Sequence, residues 1–539
     1  MSLLHRLRLK RLGITPRHKV TVQRKINVPT PDGAQLLTDL FLSSSAAKAP
    51  VVMIRSPYGR SSFAFHAYGL ASQGYHVVLQ SCRGTFGSGG VFDPHHDEKR
   101  DGLATIEWIK QQPWYGGAIA TYGMSYLGYV QWAIAAAAGP ELKAMAMQVT
   151  MSDFSQMTYC GDSFMLENAF SWTHMMNTMK KGGLKIVLQM LFGKLKPEQW
   201  KTLPLAAMDE KIAGERVNFW QDWLDHASSR DPWWSTMNFH PTIADISHPI
   251  SMIAGWHDIF LPFQMRDYSA LQNTGKNVRL TIGPWTHTTA EGGLPDAIDW
   301  FNQHLSNDGN SAVSAFEKPV KLYVMGADEW RYFDTWPPRE MRIEPWYLQP
   351  QKQLHNRIAS ASPADNYRYD PADPTPSLGG PGLFGKECSV DNATLEARAD
   401  VLTYTSAILN QPVDVIGPVT ADLYVSSSAN SADFFVRLCD VDEQGVSKNV
   451  CDGLQRVQMT AHDSPQHVRI EFWPTAYRFA AGHRLRVQVS SGAFPRWARN
   501  PGGTESIGAA TELHVATQSI HHSPEYPSAI NLPMVDAGN

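Results

Sequence analysis

A serine at the turn between a short apolar strand and a helix is the residue in this chain best placed for nucleophilic chemistry. Ser125 lies in Gly-Met-Ser-Tyr-Leu-Gly, residues 123–128, after a predicted strand at 118–122 and before a predicted Ala-rich helix at 126–138. A hydroxyl at such a bend projects beyond the sheet, and small neighbours let strand and helix approach closely. Because Leu127 occupies the usual second glycine position, this segment alone also fits an ordinary turn serine.

Two further segments place a catalytic residue type directly after an apolar strand. Asp258 ends the segment 249–258, and His287 ends the segment 278–287. The chain order Ser, Asp, His is that of α/β-hydrolase triads, whose members lie at C-terminal strand ends along one edge of a mostly parallel sheet. Alone, Asp258 is more simply a helix cap and His287 a packed loop histidine. The coincidence of all three predicts a triad.

Acyl transfer requires a base for the serine and hydrogen-bond donors for the carbonyl oxygen. An imidazole titrates near neutral pH, so His287 is suited to remove the serine proton. The predicted strand 49–54 is followed by a loop with Tyr58, whose phenol is a candidate donor to the oxyanion. The backbone N–H of Tyr126, directly after the serine, is the second candidate.

Several motifs resemble the serine hydrolases grouped around bacterial cocaine esterase and the X-Pro dipeptidyl peptidases. They are Ser-Pro-Tyr at 56–58, Arg-Gly at 83–84 with the Gly-rich loop to 90, Arg-Asp-Gly at 100–102, Glu-Trp-Ile at 107–109, Gln-Pro-Trp at 112–114, the segment 123–128, Gly-Trp-His-Asp at 255–258 and Gly-Pro-Trp-Thr-His at 283–287. The elbow of that family is Gly-x-Ser-Tyr-x-Gly, so Leu127 departs from the general pattern and not from this one.

The resemblance extends over nearly the whole chain and implies roles for the candidate residues. Ser125 is then the nucleophile, His287 the general acid and base, and Asp258 its orienting partner. The Tyr58 hydroxyl and the Tyr126 N–H are the implied oxyanion donors. The family's acyl pockets are apolar, and Trp172 and Phe260 are our candidates for the pocket wall.

The periodicity of the remaining sequence predicts an α/β-hydrolase core with an inserted helical cap and a C-terminal antiparallel β-sandwich of jelly-roll type. Strands and helices alternate over 30–145, as in a parallel sheet, and strands resume near residue 249. Between them lies a Met- and Trp-rich region with helical spacing at 164–181 and 184–195. Beyond residue 340, runs such as 468–472 and 484–490 alternate polar and apolar residues. The predicted domains are core 1–150, cap 151–245, core 246–340 and sandwich 341–539.

Composition excludes several function classes. The chain has 539 residues, 43% of them hydrophobic and 18% charged, which is typical of a packed globular protein. A net charge of −4 argues against nucleic acid as the main partner. No apolar run is long enough for a membrane span, and the five cysteines form no Cys-x-x-Cys pair. Reduced thiols and the absence of a signal-like apolar core predict a cytoplasmic protein.

The N-terminal arm is basic and carries no acid before Asp32. Its positive residues are Arg6, Arg8, Lys10, Arg11, Arg17, Lys19, Arg24 and Lys25. A solvated arm or a subunit contact, which implies a homo-oligomer, is the favoured interpretation. Binding to anionic lipid is the alternative.

Other function classes were weighed against the hydrolase. The Gly-rich loop 84–90 lacks the Gly-x-Gly-x-x-Gly spacing of a nucleotide site, and the run 95–98, His-His-Asp-Glu, is more simply a solvated loop than a metal site. A non-catalytic glycan-binding protein is a remote alternative.

Within the enzyme class, an esterase, an amide acylase and an X-Pro dipeptidyl peptidase remain open. A peptidase that recognises a free amine needs a carboxylate near its pocket, and Asp153, Asp162 and Glu167 are candidates. We favour a carboxylic ester hydrolase that acts on a small-molecule ester or amide and uses no metal or organic cofactor.

Overall fold

The computed structural model describes residues 3–181, 195–305, 318–383, 388–460 and 464–536. Contacts between residues divide the chain into two compact units. The first unit consists of Met1–Phe154, Trp234–Gly255 and Phe263–Lys321, and the second consists of Ser155–Trp233, Trp256–Pro262 and Leu322–Asn539. The division into four domains that the sequence predicts stays a prediction.

Strands and helices alternate through the first part of the chain. The strands are β1 (Val20–Pro29), β2 (Gln35–Ser43), β3 (Ala49–Ser56), β4 (His76–Ser81), β5 (Tyr115–Met124), β6 (Leu142–Gln148), β7 (Tyr159–Cys160), β8 (Ser163–Phe164), β9 (Ile250–His257), β10 (Val278–Thr286), β11 (Val320–Val324) and β12 (Glu329–Phe333). The helices are α1 (Leu3–Arg11), α2 (Arg60–Ala71), α3 (Glu98–Lys110), α4 (Tyr126–Ala135), α5 (Phe154–Thr158), α6 (Leu166–Lys181), α7 (Pro197–Trp200), α8 (Asn218–Asp225), α9 (Leu261–Asn273) and α10 (Gly293–Leu305).

The first unit is built on a mostly parallel sheet, in which the strands follow the order β1-β2-β4-β3-β5-β6-β9-β10. Strands β3 to β6 and β9 pair in parallel, whereas β1 and β2 add an antiparallel edge. Because parallel strands end at the same edge of a sheet, the residues that follow β3, β5 and β9 emerge on one side. The predicted α/β-hydrolase core is confirmed.

Helices cover this sheet and bury its apolar runs. Leu70 of α2 and Phe301 of α10 join one core cluster with Ile54, Val77 and Ala120 of the strands. Strands buried on both faces need near-continuous apolar sequence, which is why these segments show little alternation.

The N-terminal helix α1 is part of the first unit and packs into its core, whereas its charge favoured a solvated arm or a subunit contact. Leu9 is fully buried within the core cluster, and the Arg8 guanidinium lies 4.4 Å from the centre of the Phe65 ring. Leu9 therefore anchors the helix, while Leu7, Lys10 and Arg11 stay exposed.

The chain between β6 and β9 is mostly helical, as the predicted cap requires. It contains α5 to α8, the strand pair β7–β8, a π-helical turn at Asp209–Ala213, and 3-10 turns at Leu205–Ala207, Pro232–Met237 and His240–Asp245. The helical run predicted at 164–181 corresponds to α6. The run predicted at 184–195 lies outside the described residues except for its last position.

The C-terminal part of the second unit is a β-sandwich, as predicted, and its strands pair antiparallel except for one parallel pairing at Gln353 and Thr405. Its strands are β13 (Arg342–Gln349), β14 (Gln353–His355), β15 (Asp365–Tyr369), β16 (Leu402–Thr405), β17 (Val413–Gly417), β18 (Thr420–Ser427), β19 (Ser431–Val441), β20 (Ser447–Gln458), β21 (Gln466–Glu471), β22 (Thr475–Phe479), β23 (Arg484–Ser490), β24 (Ala516–His521) and β25 (Ala529–Val535). A short helix, α11 (Ala393–Glu396), and a 3-10 turn at Pro350–Lys352 complete it. Leu485, Val487 and Val489 of β23 lie in its core.

Within the described ranges, no helix combines the length and apolarity needed to cross a membrane. All five cysteines, Cys82, Cys160, Cys388, Cys439 and Cys451, are free thiols.

Candidate active site

Ser125 occupies a strained turn between β5 and α4. Its backbone has φ 56° and ψ −126°, a conformation that residues with a side chain rarely adopt. Hydrogen bonds hold it there: Ser125 N donates to the Gln148 carbonyl at 2.9 Å, and Thr150 Oγ1 donates to the Ser125 carbonyl at 2.9 Å. Strain of this kind persists only where the surrounding structure enforces it, which is common at functional sites.

The glycines of the elbow are required by close packing. A Cβ at position 128 would lie 2.5 Å from Thr150 Cβ, closer than real Cβ contacts, and one at Gly123 would overlap Leu127. Leu127 itself is fully buried in the core cluster of the first unit. The close approach between helix and strand therefore falls one residue later than in the general motif, which explains why the second glycine is Gly128.

His287 lies beside this serine. It follows β10 directly, is 8% exposed, and places Nε2 at 3.0 Å from Ser125 Oγ. The turn after β10 is closed by Thr286 N, which donates to Thr289 Oγ1 at 2.9 Å. When Nε2 carries no proton, the serine hydroxyl donates to it, which is the geometry required for general-base catalysis.

Asp258 follows β9 and belongs by its contacts to the second unit. It is fully buried, and its carboxylate Oδ1 accepts a hydrogen bond from Phe260 N at 2.6 Å. Its backbone carbonyl accepts the indole N–H of Trp473 at 3.0 Å. Both ends of the residue are thus hydrogen-bonded within the second unit.

The two candidate oxyanion donors pack against each other in the first unit. Tyr58 follows β3, and its backbone N donates to Ser56 Oγ at 3.1 Å. Its ring lies edge-on to the Tyr126 ring, with centroids 6.4 Å apart and an interplanar angle of 74°. Tyr126 begins α4, so its backbone N–H lies at the positive end of the helix dipole.

A buried ionic network anchors the Tyr126 side chain. The Tyr126 hydroxyl donates to Glu98 Oε1 at 2.8 Å and accepts from His95 N at 2.9 Å. Glu98 Oε2 in turn pairs with Arg55 Nη2 at 2.9 Å. Burial, followed by the negative charge of Glu98, raises the pKa of Tyr126 well above its ordinary value, so the phenol stays protonated and remains a donor.

The sequence reasoning missed this network and took residues 95–98 for a solvated loop. His95 and Glu98 are 3% and 5% exposed, and burial lowers the pKa of His95 well below its usual value. A signal was present in Arg55, an arginine that directly follows a run of buried strand residues and needs a buried counter-charge. Among the described residues, no group of three or more His, Cys, Asp or Glu is placed to hold a metal ion.

The Gly-rich loop after β4 is explained by packing and charge pairing. Arg83 Nε donates to Asp101 Oδ2 at 3.0 Å, and Arg83 Nη1 pairs with Asp32 at 3.0 Å. Gly84 has φ 64°, and a Cβ there would overlap the backbone of Phe92. The glycines thus serve a tight turn around an arginine.

The two candidate pocket residues lie in the second unit. Trp172 is half-buried on α6, with its ring centroid 5.8 Å from Phe219 and 6.0 Å from Trp223. Phe260 is 6% exposed and stands two residues after Asp258. Their role in an acyl pocket stays a prediction.

Comparison with known protein families accounts for most of the chain. Residues 32–289 match the model of the X-Pro dipeptidyl-peptidase S15 family, and residues 312–531 match the X-Pro dipeptidyl-peptidase C-terminal non-catalytic domain. Cocaine esterase from Rhodococcus sp. is 31% identical over 96% of this chain and 99% of its own length. The chain therefore belongs to the family of the S15 X-Pro dipeptidyl-peptidases and cocaine esterase, and it is a serine hydrolase.

More distant relatives share the same architecture. A putative serine esterase of Mycobacterium bovis is 23% identical over 96% of both chains. An aminopeptidase structure from a marine sediment archaeon, a thaumarchaeon, superposes with a TM-score of 0.83 at 23% identity, covering 96% of this chain and 97% of its own. An α-amino acid ester hydrolase superposes with a TM-score of 0.82 at 23% identity, covering 96% of both chains. At these identities the structural likeness establishes the fold.

Proposed function

We propose that the chain hydrolyses carboxylic acid esters through an acyl-enzyme formed on Ser125. The observation that carries the proposal is the 3.0 Å distance between Ser125 Oγ and His287 Nε2 at a strained strand-to-helix turn. The 31% identity to cocaine esterase favours an ester substrate.

The proposed reaction has two halves. His287 Nε2 takes the Ser125 proton as Oγ bonds to the ester carbonyl carbon, and the carbonyl oxygen becomes an oxyanion. The tetrahedral intermediate then breaks its bond to the alkoxy oxygen, which leaves as an alcohol with the proton from His287. Water, deprotonated by the same imidazole, attacks the acyl-serine, and the second tetrahedral intermediate breaks its bond to Ser125 Oγ. Oγ takes the proton back from His287, and the carboxylic acid is released.

Two donors are proposed for the oxyanion. The Tyr126 N–H lies at the helix start directly after the nucleophile, and the Tyr58 phenol lies on the neighbouring loop. The rings of the two tyrosines lie edge-on, and the Tyr126 N–H is placed by the first turn of α4. Donors fixed before the reaction stabilise developing charge without reorganisation.

Asp258 is the proposed partner of His287, completing a Ser-His-Asp triad. A buried carboxylate would fix the imidazole tautomer and stabilise the imidazolium during attack. Support comes from the matched Gly-Trp-His-Asp motif and from complete burial of the side chain. Trp172 and Phe260 are the proposed apolar walls for the acyl group.

The second candidate function is X-Pro dipeptidyl peptidase activity, because the matching family model carries that description, or amide acylase activity by the same acyl-enzyme chemistry. Two of the three carboxylates considered for binding a free amine are already paired with arginine. Asp153 lies 3.3 Å from Arg266, and Asp162 lies 3.1 Å from Arg230. A paired carboxylate attracts a substrate ammonium less, so we rank ester hydrolysis first.

A direct comparison of substrates tests this ranking. We expect the purified chain to hydrolyse a p-nitrophenyl ester of a short acid at least tenfold faster than Ala-Pro or Gly-Pro anilide. Ser125→Ala should abolish the ester activity while circular dichroism shows an unchanged fold. Activity on the anilide alone would reverse the ranking, and full activity in the serine variant would end the proposal.

Place of action is also a proposal. Five free thiols suit a reducing compartment, so we propose that the enzyme works in the cytoplasm. Cell fractionation that recovers the protein outside the cytosol would overturn this.

A further inference from the structure

The turn that carries Asp258 is held by the β-sandwich part of the second unit. Residues Trp256–Pro262 group with that unit by their contacts, although β9 belongs to the parallel sheet. Trp473 Nε1 donates to the Asp258 carbonyl at 3.0 Å, and Leu261 N approaches the same oxygen at 3.4 Å. Trp473 lies between strands β21 and β22, 215 positions away along the chain.

Trp473 is itself fixed by an arginine stacked between two indoles. The Arg496 guanidinium carbon lies 4.4 Å from the Trp473 ring centre and 4.2 Å from that of Trp497. The two indoles are nearly perpendicular, at 88° with centroids 5.9 Å apart. Trp473 N also donates to the Asp452 carbonyl at 2.9 Å, so both the backbone and the ring of Trp473 are restrained.

The arginine is held by a buried carboxylate. Arg496 Nη1 pairs with Asp452 Oδ1 at 2.6 Å, and Asp452 Oδ2 pairs with Arg437 Nη2 at 2.9 Å. All three side chains are about 1% exposed. A buried ionic group is costly to move because any displaced charge loses its partner without gaining water. The stack on Trp473 is therefore rigid.

From these contacts we infer that Trp473 is a positioning residue for Asp258, the proposed triad carboxylate, acting through the hydrogen bond from its indole N–H to the Asp258 carbonyl. The inference rests on the proposed function, in which Asp258 orients His287. It gives a catalytic task to the part of the chain matched by a model described as non-catalytic. Displacements near 1 Å around a reacting group can cost about 10²-fold in rate, so one bond to the turn can matter.

The test compares two tryptophans on the same arginine. Trp473→Phe removes the N–H to Asp258 and keeps an aromatic ring under Arg496. Trp497→Phe is the matched control, since its indole donates to the Cys160 carbonyl at 3.2 Å instead. We expect Trp473→Phe to lower kcat about tenfold, which is the rate factor that corresponds to the free energy of one hydrogen bond. KM should stay within about twofold of the natural value. Trp497→Phe should leave kcat within about twofold of the natural value, although it should lower the melting temperature about as much as Trp473→Phe does.

A second arm separates positioning from general damage. In an Asp258→Asn background, Trp473→Phe should lower kcat no further, because the group it positions is already disabled. Equal kcat in the two tryptophan variants, or a full tenfold loss in the Asp258→Asn background, would overturn the inference.

Failure of the inference and failure of the proposed function give different results. If Asp258→Asn keeps full activity, the Asp258 carboxylate has no role in the mechanism, and the proposed triad is wrong. If Asp258→Asn loses activity while Trp473→Phe leaves kcat unchanged, only the inference about Trp473 is wrong. If Trp473→Phe does not fold, Arg496→Lys is the substitute variant. It keeps a positive charge beside Asp452 and removes the planar guanidinium that stacks on Trp473. It is expected to lower kcat in the natural background and not in Asp258→Asn, and the reverse pattern would contradict the inference.

Discussion

The serine turn and the aspartate turn are held in place by different means. The turn at Ser125 is fixed by its own backbone and by neighbours such as Gly128 and Thr150, which lie within 25 positions of it. The turn at Asp258 is fixed by Trp473, which the sequence places 215 positions later. One catalytic turn can therefore be recognised from a short motif, whereas the support of the other exists only in the folded chain.

The two turns also share a feature, because a buried ion pair lies next to each of them. Behind the serine turn, Arg55 and Glu98 form a buried pair that anchors Tyr126. Behind the aspartate turn, Asp452 and Arg496 form a buried pair that restrains Trp473. In both places a buried ion pair, which is costly to displace, restrains an aromatic side chain. Tyr126 directly follows Ser125, and Trp473 donates to the Asp258 carbonyl.

Removing the charge at the aspartate turn should have the largest effect among variants that keep the serine. Asp258→Asn retains the shape of the side chain and presents the wrong donor pattern to an imidazole. We expect kcat for ester hydrolysis to fall by about 10⁴. Steady-state kinetics with a p-nitrophenyl ester measure it, and a loss below about tenfold would mean that only the serine turn matters for the chemistry.

Removing an oxyanion donor should have the next largest effect. Tyr58→Phe keeps the ring against Tyr126 and deletes the phenol, so kcat should fall by about 10²- to 10³-fold with little change in KM. Tyr129→Phe is the control, because it also removes one phenol hydroxyl from the first unit, one that donates to the Met237 carbonyl at 3.1 Å. Equal kcat values for the two variants would rule out Tyr58 as a donor.

Adding a side chain beside the serine turn should destabilise the fold, because that turn is held by close local packing. Gly128→Ala places a Cβ against Thr150 and should cost up to about 3 kcal/mol of unfolding free energy through overpacking. Gly492→Ala, where no atom lies within 4 Å of the added Cβ, is the control. Urea denaturation compares them, and a Gly128→Ala variant as stable as the control would show that the elbow tolerates a side chain.

Acid should weaken the first unit through a half-buried histidine that contacts the strand before Ser125. Burial, followed by the charge of Arg8, lowers the pKa of His66 to about 4, and its Nδ1 lies 2.8 Å from the Tyr122 hydroxyl. An unfolded histidine titrates near 6.5, so between pH 6.5 and 4 the unfolded chain binds the extra proton and stability falls as pH falls. His66 should account for about 2 kcal/mol of loss by pH 5.

The measurement is urea denaturation at pH 7 and pH 5. His66→Phe keeps an aromatic ring in place and should reduce the difference in unfolding free energy between the two pH values. The half-buried His257, whose pKa is also lowered to about 4 by desolvation, supplies the corresponding comparison in the second unit. An unchanged pH dependence in His66→Phe would contradict the assignment.

Features that depend on residues close together in the sequence could be predicted, whereas features that depend on contacts between distant segments could not. The α/β core, the helical insertion and the C-terminal sandwich were predictable because apolar periodicity is a local property. The proximity of Ser125 to His287 was expected from the convergence of parallel strand ends. The anchoring of Tyr126 was missed, because the partners of its hydroxyl are set by how α3 and β3 pack.

The N-terminal helix gives the same lesson on a smaller scale. Its charges favoured a solvated arm or a subunit contact, yet Leu9 is buried between α2 and α10. A single leucine among basic residues carries no periodic signal. Only the packed core shows where it lies.

The most direct test of the account is covalent labelling of the nucleophile. Incubation with a fluorophosphonate should transfer one phosphonyl group per chain to Ser125 Oγ, with fluoride leaving and the serine proton taken up by His287. Intact-mass and peptide mass spectrometry should then find the adduct on the peptide that contains residues 123–128, and no adduct on Ser125→Ala. An adduct on a different residue, or equal labelling of Ser125→Ala, would contradict the central claim.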